Sequence, residues 1–122
     1  MNNQPISPEV IAECQALLAF AMSTPREIAD VFVDFSPHVG RLYVQVYLGG
    51  WREGMQKDID EGQYVDSEDG LAGIQGMRRK VEAMVREWRD KPHRQRENER
   101  SKSLREAAQK LLAEAESLTP AP

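Results

Sequence analysis

The chain has 122 residues, 40% of them hydrophobic and 30% charged, with a formal net charge of −4. That length fits one domain with chain to spare for a tail, and the apolar share supplies a modest core drawn from roughly the first ninety residues. The lone Cys14 excludes an intrachain disulfide and a thiolate metal cage.

Ser7-Pro8-Glu9 is a helix start: a hydroxyl able to cap, proline at the first helical position and an acid in the first turn. Val10, Ile11, Cys14, Leu17, Leu18 and Ala21 follow at helical spacing, which predicts a helix over 8–22 with these six on one buried face. Its apolar run from Ala16 to Met22 is far shorter than the roughly 18 residues of a membrane span. The N-terminal Met-Asn-Asn-Gln-Pro lacks the basic and apolar regions of a signal peptide. The expectation is a cytoplasmic protein with no membrane segment.

Thr24-Pro25-Arg26-Glu27 carries a capping-box pattern, but the residues after it favour strand. Positions 28–35 are β-branched and aromatic, 41–48 alternate strictly, and Ser36-Pro37-His38-Val39-Gly40 is turn chemistry between them. This predicts a β-hairpin. Burying Val31, Val33 and Phe35 together with Leu42, Val44, Val46 and Leu48 requires odd positions to pair with even ones. A four-residue loop delivers that parity, with Asp34 expected opposite Arg41 and Phe32 opposite Tyr43. The other face then displays Phe32, Asp34, Tyr43, Gln45 and Tyr47.

Gly49-Gly50 ends the second strand and Trp51 follows; Gln63-Tyr64-Val65 offers a short third strand. A second helix is predicted from Gly70, with Leu71, Ile74, Met77, Val81, Met84, Val85 and Trp88 on one stripe, and Pro92 ends it. His93 to Ser103 holds no apolar side chain, although Glu97–Arg100 and Glu99–Lys102 at i,i+3 would support a solvated helix. Leu104 to Leu118 is amphipathic again. The predicted fold class is α+β: helix, β-hairpin with a possible short third strand, helix, then a charged segment and a C-terminal amphipathic helix. Residues 1–91 form the expected domain and 92–122 a tail suited to oligomerisation.

Charge is distributed very unevenly. Glu53 to Asp69 holds seven acids and one base, whereas Arg78 to Arg105 holds eleven Lys/Arg and five Asp/Glu. Such polarity belongs to proteins that work by binding. Asp58-Ile-Asp60-Glu61-Gly62 has the composition of a calcium loop, but its glycine falls at the fifth position and the twelfth residue is Asp69, so the EF-hand spacing fails. His38 and His93 have no partner at metal-ligand spacing. No nucleophile elbow and no phosphate-cradling glycine loop is present. The expectation is therefore a non-enzymatic protein with no cofactor and no metal.

Two binding surfaces emerge. Phe32, Tyr43, Tyr47 and Trp51 would form an aromatic contact surface for a protein partner, with Asp58, Asp60 and Glu61 steering a basic partner toward it. The alternative uses Arg78, Arg79, Arg94, Arg96 and Arg100 for nucleic-acid phosphates and the tyrosines for base stacking. A helix lying over the hairpin, or a second hairpin packed on it, would close the aromatic face instead.

The stretch Asp34-Phe-Ser-Pro-His-Val-Gly-Arg-Leu-Tyr-Val-Gln-Val-Tyr-Leu-Gly-Gly-Trp51 resembles hairpins in small, functionally uncharacterised proteins carried by bacteriophages and prophages. The resemblance implies a mobile-element accessory protein, a class that often acts by occupying a host protein's surface, and it carries over no catalytic or binding residue; self-association as a dimer is expected instead from the C-terminal helix, whose short apolar stripe is set apart from the core by the charged segment.

Overall fold

Ser7 begins the first helix as the sequence predicts: its Oγ accepts from the Val10 N–H at 3.2 Å, and Pro8 fills the first turn, where a missing N–H costs nothing. The structure, a computed structural model, describes residues 5–118. Its elements are α1 (Pro8–Ser23), β1 (Ala29–Ser36), β2 (Arg41–Leu48), β3 (Ile59–Tyr64), α2 (Gly70–Asp90) and α3 (His93–Leu118). The fold is α+β, built on an antiparallel sheet of order β1-β2-β3. No helix among the described residues is long and apolar enough to cross a membrane.

The hairpin has the predicted parity and a four-residue loop over 37–40, with Ser36 opposite Arg41. The individual pairs stand two residues away from those expected: Asp34 faces Tyr43, and Phe32 faces Gln45. The third strand is longer than predicted and begins at Ile59, pairing Val46 with Ile59 and Arg41 with Tyr64. The capping-box segment does not start a helix. Thr24 Oγ1 donates back to the Phe20 carbonyl at 2.7 Å, and the Ile28 and Ala29 N–H groups close a turn on the Pro25 carbonyl.

Both α1 and α2 lie on the sheet face that carries Leu42, Val44, Val46 and Ile59. From α2 come Ile74, Met77, Val81, Val85 and Trp88; from α1, Val10 and Leu17. The predicted stripe of α2 is thus its buried face. The face of α1 is narrower than predicted, because Ile11 and Leu18 remain exposed beside the equally exposed Phe35 of β1. The charged segment and terminal helix form one continuous helix, α3, whose single buried residue is Ala107. Neither predicted i,i+3 pair forms; Lys91–Glu99 and His93–Glu97 hold its first turns instead.

Arg78 ties the helices together. Its Nε donates to Glu13 Oε2 at 2.6 Å and its Nη1 to Glu82 Oε1 at 3.4 Å. The Arg78 hydrogen bond holds the Glu13 carboxyl below the usual range, outweighing partial desolvation, and the same bond raises the Arg78 guanidinium. A depressed carboxyl stabilises the fold above its unfolded range, and that contribution is lost as pH falls through the folded value. Glu13→Gln is therefore expected to melt below wild type at about pH 7 and to converge with it near pH 2.5, both read by circular dichroism. An equal gap at both pH values would dissociate Glu13 from the acid response.

Candidate functional site

The alternation of the strands sends a second set of side chains to the face away from α1 and α2. The register places Asp30, Phe32 and Asp34 from β1, Arg41, Tyr43, Gln45 and Tyr47 from β2, and Asp60, Gly62 and Tyr64 from β3 on this outer face. Phe32 is 48% exposed and Tyr64 51% exposed, so no described element closes it.

Arg41 organises one half of the face. Its guanidinium carbon lies 5.0 Å from the Tyr43 ring centroid and 5.3 Å from that of Tyr64, a cation–π bridge between adjacent strands. Gly62, opposite Tyr43, makes this possible: any Cβ there would collide with the guanidinium. Arg41 Nε is buried without a hydrogen-bond partner among the described residues, so the rings and not hydrogen bonds hold it.

Phe32 organises the other half. It meets Tyr47 edge-on, with centroids 5.8 Å apart and planes at 88°. Tyr47 itself is buried, which removes it from the predicted contact surface and makes it the support under Phe32. Trp51 is exposed beyond the end of β2, and its backbone N–H donates to Asp30 Oδ2 at 2.7 Å. Arg26 Nε holds the other oxygen of Asp30 at 3.2 Å.

The predicted acidic cluster is dispersed. Asp58 Oδ2 accepts from the Leu48 N–H at 2.8 Å and so ties the loop back to β2; desolvation pushes its carboxyl up, partly offset by that bond. Asp60 lies on the outer face, paired with Lys57 at 3.4 Å. Glu61 points to the opposite side and pairs with Lys80 of α2. Asp60 is thus the one acid of the three that joins the aromatic face, where it stands with Asp30 and Asp34.

The predicted basic surface is dispersed as well. Arg78 is spent on Glu13 and Glu82, Lys80 on Glu61, Arg86 on Glu82 and Lys91 on Glu99. Arg79 and Arg94 are exposed on different helices. Arg96 is half-buried with its Nε unpartnered among the described residues, and Arg100 lies over Gly49 and Gly50. They do not form one stripe beside the tyrosines. Sequence reasoning missed Arg41 and Tyr64, although their neighbourhood follows once β3 is paired with β2; the aromatic at position 64 was the available signal.

The described residues hold no group of three or more His, Cys, Asp or Glu arranged to bind a metal ion. No family model matches the chain, and no curated protein or solved structure is significantly similar to it.

Proposed function

We propose that this chain is a non-enzymatic docking protein, an accessory of a phage or prophage acting in the cytoplasm, which binds a host protein through the outer face of its sheet. One observation carries the reading: the face is left open by both core helices and presents Phe32, Tyr43 and Tyr64 among three carboxylates and one guanidinium. Exposed aromatics over a supporting layer suit a partner that inserts apolar side chains, and Asp30, Asp34 and Asp60 favour a rim of Lys and Arg on that partner. The same carboxylates repel phosphates, so the tyrosines are poorly placed to stack nucleic-acid bases. The resemblance of residues 34–51 supports the phage assignment. Leu112 and Leu118, both exposed on α3, supply the apolar contacts for a dimer.

The test is affinity capture from a bacterial lysate with quantitative mass spectrometry, comparing wild type, Phe32→Ala/Tyr64→Ala and Arg94→Ala. The double variant is expected to lose its captured protein by about thirtyfold or more in affinity, the scale of two interface anchors, while Arg94→Ala retains it. Identical capture by all three proteins, or capture abolished by nuclease, would overturn the reading.

A further inference from the structure

A concave feature lies where α3 meets the body of the fold. It is a cleft of about 610 Å³ between the stretch of α3 from Glu99 to Lys110 and the loop joining β2 to β3. That volume lies in the usual range for small-molecule sites. Its walls carry five cations, Lys57, Lys91, Arg100, Lys102 and Lys110, against three acids, Asp58, Glu99 and Glu106.

Most of the acids are already engaged. Glu99 binds Lys91 at 3.1 Å, and Asp58 accepts from the Leu48 N–H. Lys57 is held by Asp60. Arg100, Lys102 and Lys110 make no ion pair among the described residues, and neither do the lining acids Glu106 and Asp58, so the cleft keeps a small excess of positive charge. These three sit on one helix at positions 100, 102 and 110, and Lys91 lines the cleft 5.4 Å from the Trp88 ring centroid.

Trp88 supplies an independent observation. It lines the cleft, is only 7% exposed, and its indole Nε1 is buried without a hydrogen-bond partner among the described residues. An indole N–H can only donate, and burying it unpaired is costly. The Trp88 N–H is thus left without an acceptor among the described residues.

We infer that this cleft binds a small polyanion, a ligand with several anionic oxygens such as a di- or tricarboxylate or a phosphorylated metabolite. Arg100 and Lys102 pair with its charge, and the Trp88 N–H donates to one of its oxygens. The acids on the walls, Asp58, Glu99 and Glu106, favour a compact ligand over a continuous polyphosphate backbone.

Two anions distinguish the sources: inorganic pyrophosphate for phosphoryl ligands and citrate for carboxylates. Each is titrated at constant ionic strength into the full chain carrying Trp51→Phe, so that Trp88 is the sole indole reporter. The expected result is a saturable change in Trp88 emission with a midpoint below about 1 mM for at least one anion. Arg100→Gln/Lys102→Gln in that background should weaken it by about tenfold or more, and Arg94→Gln should leave it unchanged. Trp88→Phe, followed by calorimetry, should also weaken it while the chain keeps its circular dichroism spectrum. A response to pyrophosphate alone assigns a phosphoryl ligand, and a response to citrate alone a carboxylate. No saturation by about 10 mM with either anion, or equal midpoints in wild type and the double variant, would overturn the inference.

Discussion

Leu17→Ala is expected to lower the stability of the fold by about 3 kcal/mol, within the range for a buried leucine that leaves a cavity, and to lower the melting temperature by roughly 10–20 °C. Leu17 is fully buried, and α1 has few other anchors. The positions it buries from Val10 onward recur every seventh residue: Val10, Leu17 and then Thr24 just past its end. Thr24 contributes a hydrogen bond to its own helix, and Leu17 is the one large α1 side chain that is completely buried, with Val10 buried and Cys14 and Phe20 half-buried against the same core. Leu18 is the internal control. It is the same residue type one position on, 46% exposed, and Leu18→Ala should change stability by less than about 0.5 kcal/mol. Urea titrations of the three proteins decide it. Equal losses for both leucines would mean that α1 rotates on the sheet or packs against another molecule through its exposed side.

Gly54→Val is expected to release α3 from the body of the protein while leaving the helix–sheet core intact. Gly54 lies in the β2–β3 loop at φ +85°, where an L-residue pays about 1–2 kcal/mol and a β-branched one more. Its missing side chain also makes room for the helix: an added Cβ would stand 2.9 Å from Leu111 Cγ and 3.2 Å from the Ala107 carbonyl oxygen. Ala107 is the only buried residue of α3, so nothing else on that helix is positioned to absorb the displacement. Limited proteolysis should cut within 93–118 at least about tenfold faster, since a docking loss near 2 kcal/mol multiplies the open population by more than that factor. Trp88 emission should move to the red as the cleft opens. Unchanged cleavage and emission would show that α3 is held by its polar contacts at Lys91 and Glu99 instead.

The sequence was most legible where hydrophobic period and local chemistry agreed. Pro8 and Ser7 mark the start of α1, Pro92 the end of α2, and strict alternation from Arg41 to Leu48 marks β2, each within a residue of its observed bound. The hairpin parity followed from which side chains must be buried, but the pairs depend on where the four-residue loop sits, and moving it from 36–39 to 37–40, with Ser36 in the strand, shifts them by two. The first half of β3 was hidden because Asp60, Glu61 and Gly62 are poor strand formers taken singly. Each is tolerated for a tertiary reason: Asp60 faces outward, Glu61 reaches Lys80, and Gly62 underlies Arg41. The candidate site was half legible for the same cause. Phe32 and Tyr43 were placed on the correct face, whereas Tyr64 and Arg41 needed the third strand, and the burial of Tyr47 depends on packing that no period reveals.

The order β1-β2-β3 leaves one side of β1 with no strand beside it among the described residues. Val31, Phe32, Val33 and Phe35 make that row strongly β-forming, and an unpaired row of backbone donors and acceptors will accept any extended chain of suitable length. What holds it in check is charge. Asp30 is locked against Arg26 and Trp51, which stiffens the first residues of the row, while Asp34 makes no ion pair in the described structure and places a carboxylate at its middle. Two copies approaching edge to edge would have to bury or oppose those carboxylates. Colloidal behaviour at high concentration therefore draws on Asp34, a residue with no role in the core: it acts as a gatekeeper, and its neutralisation by Asp34→Asn is expected to turn a guarded strand edge into a template for fibrous growth.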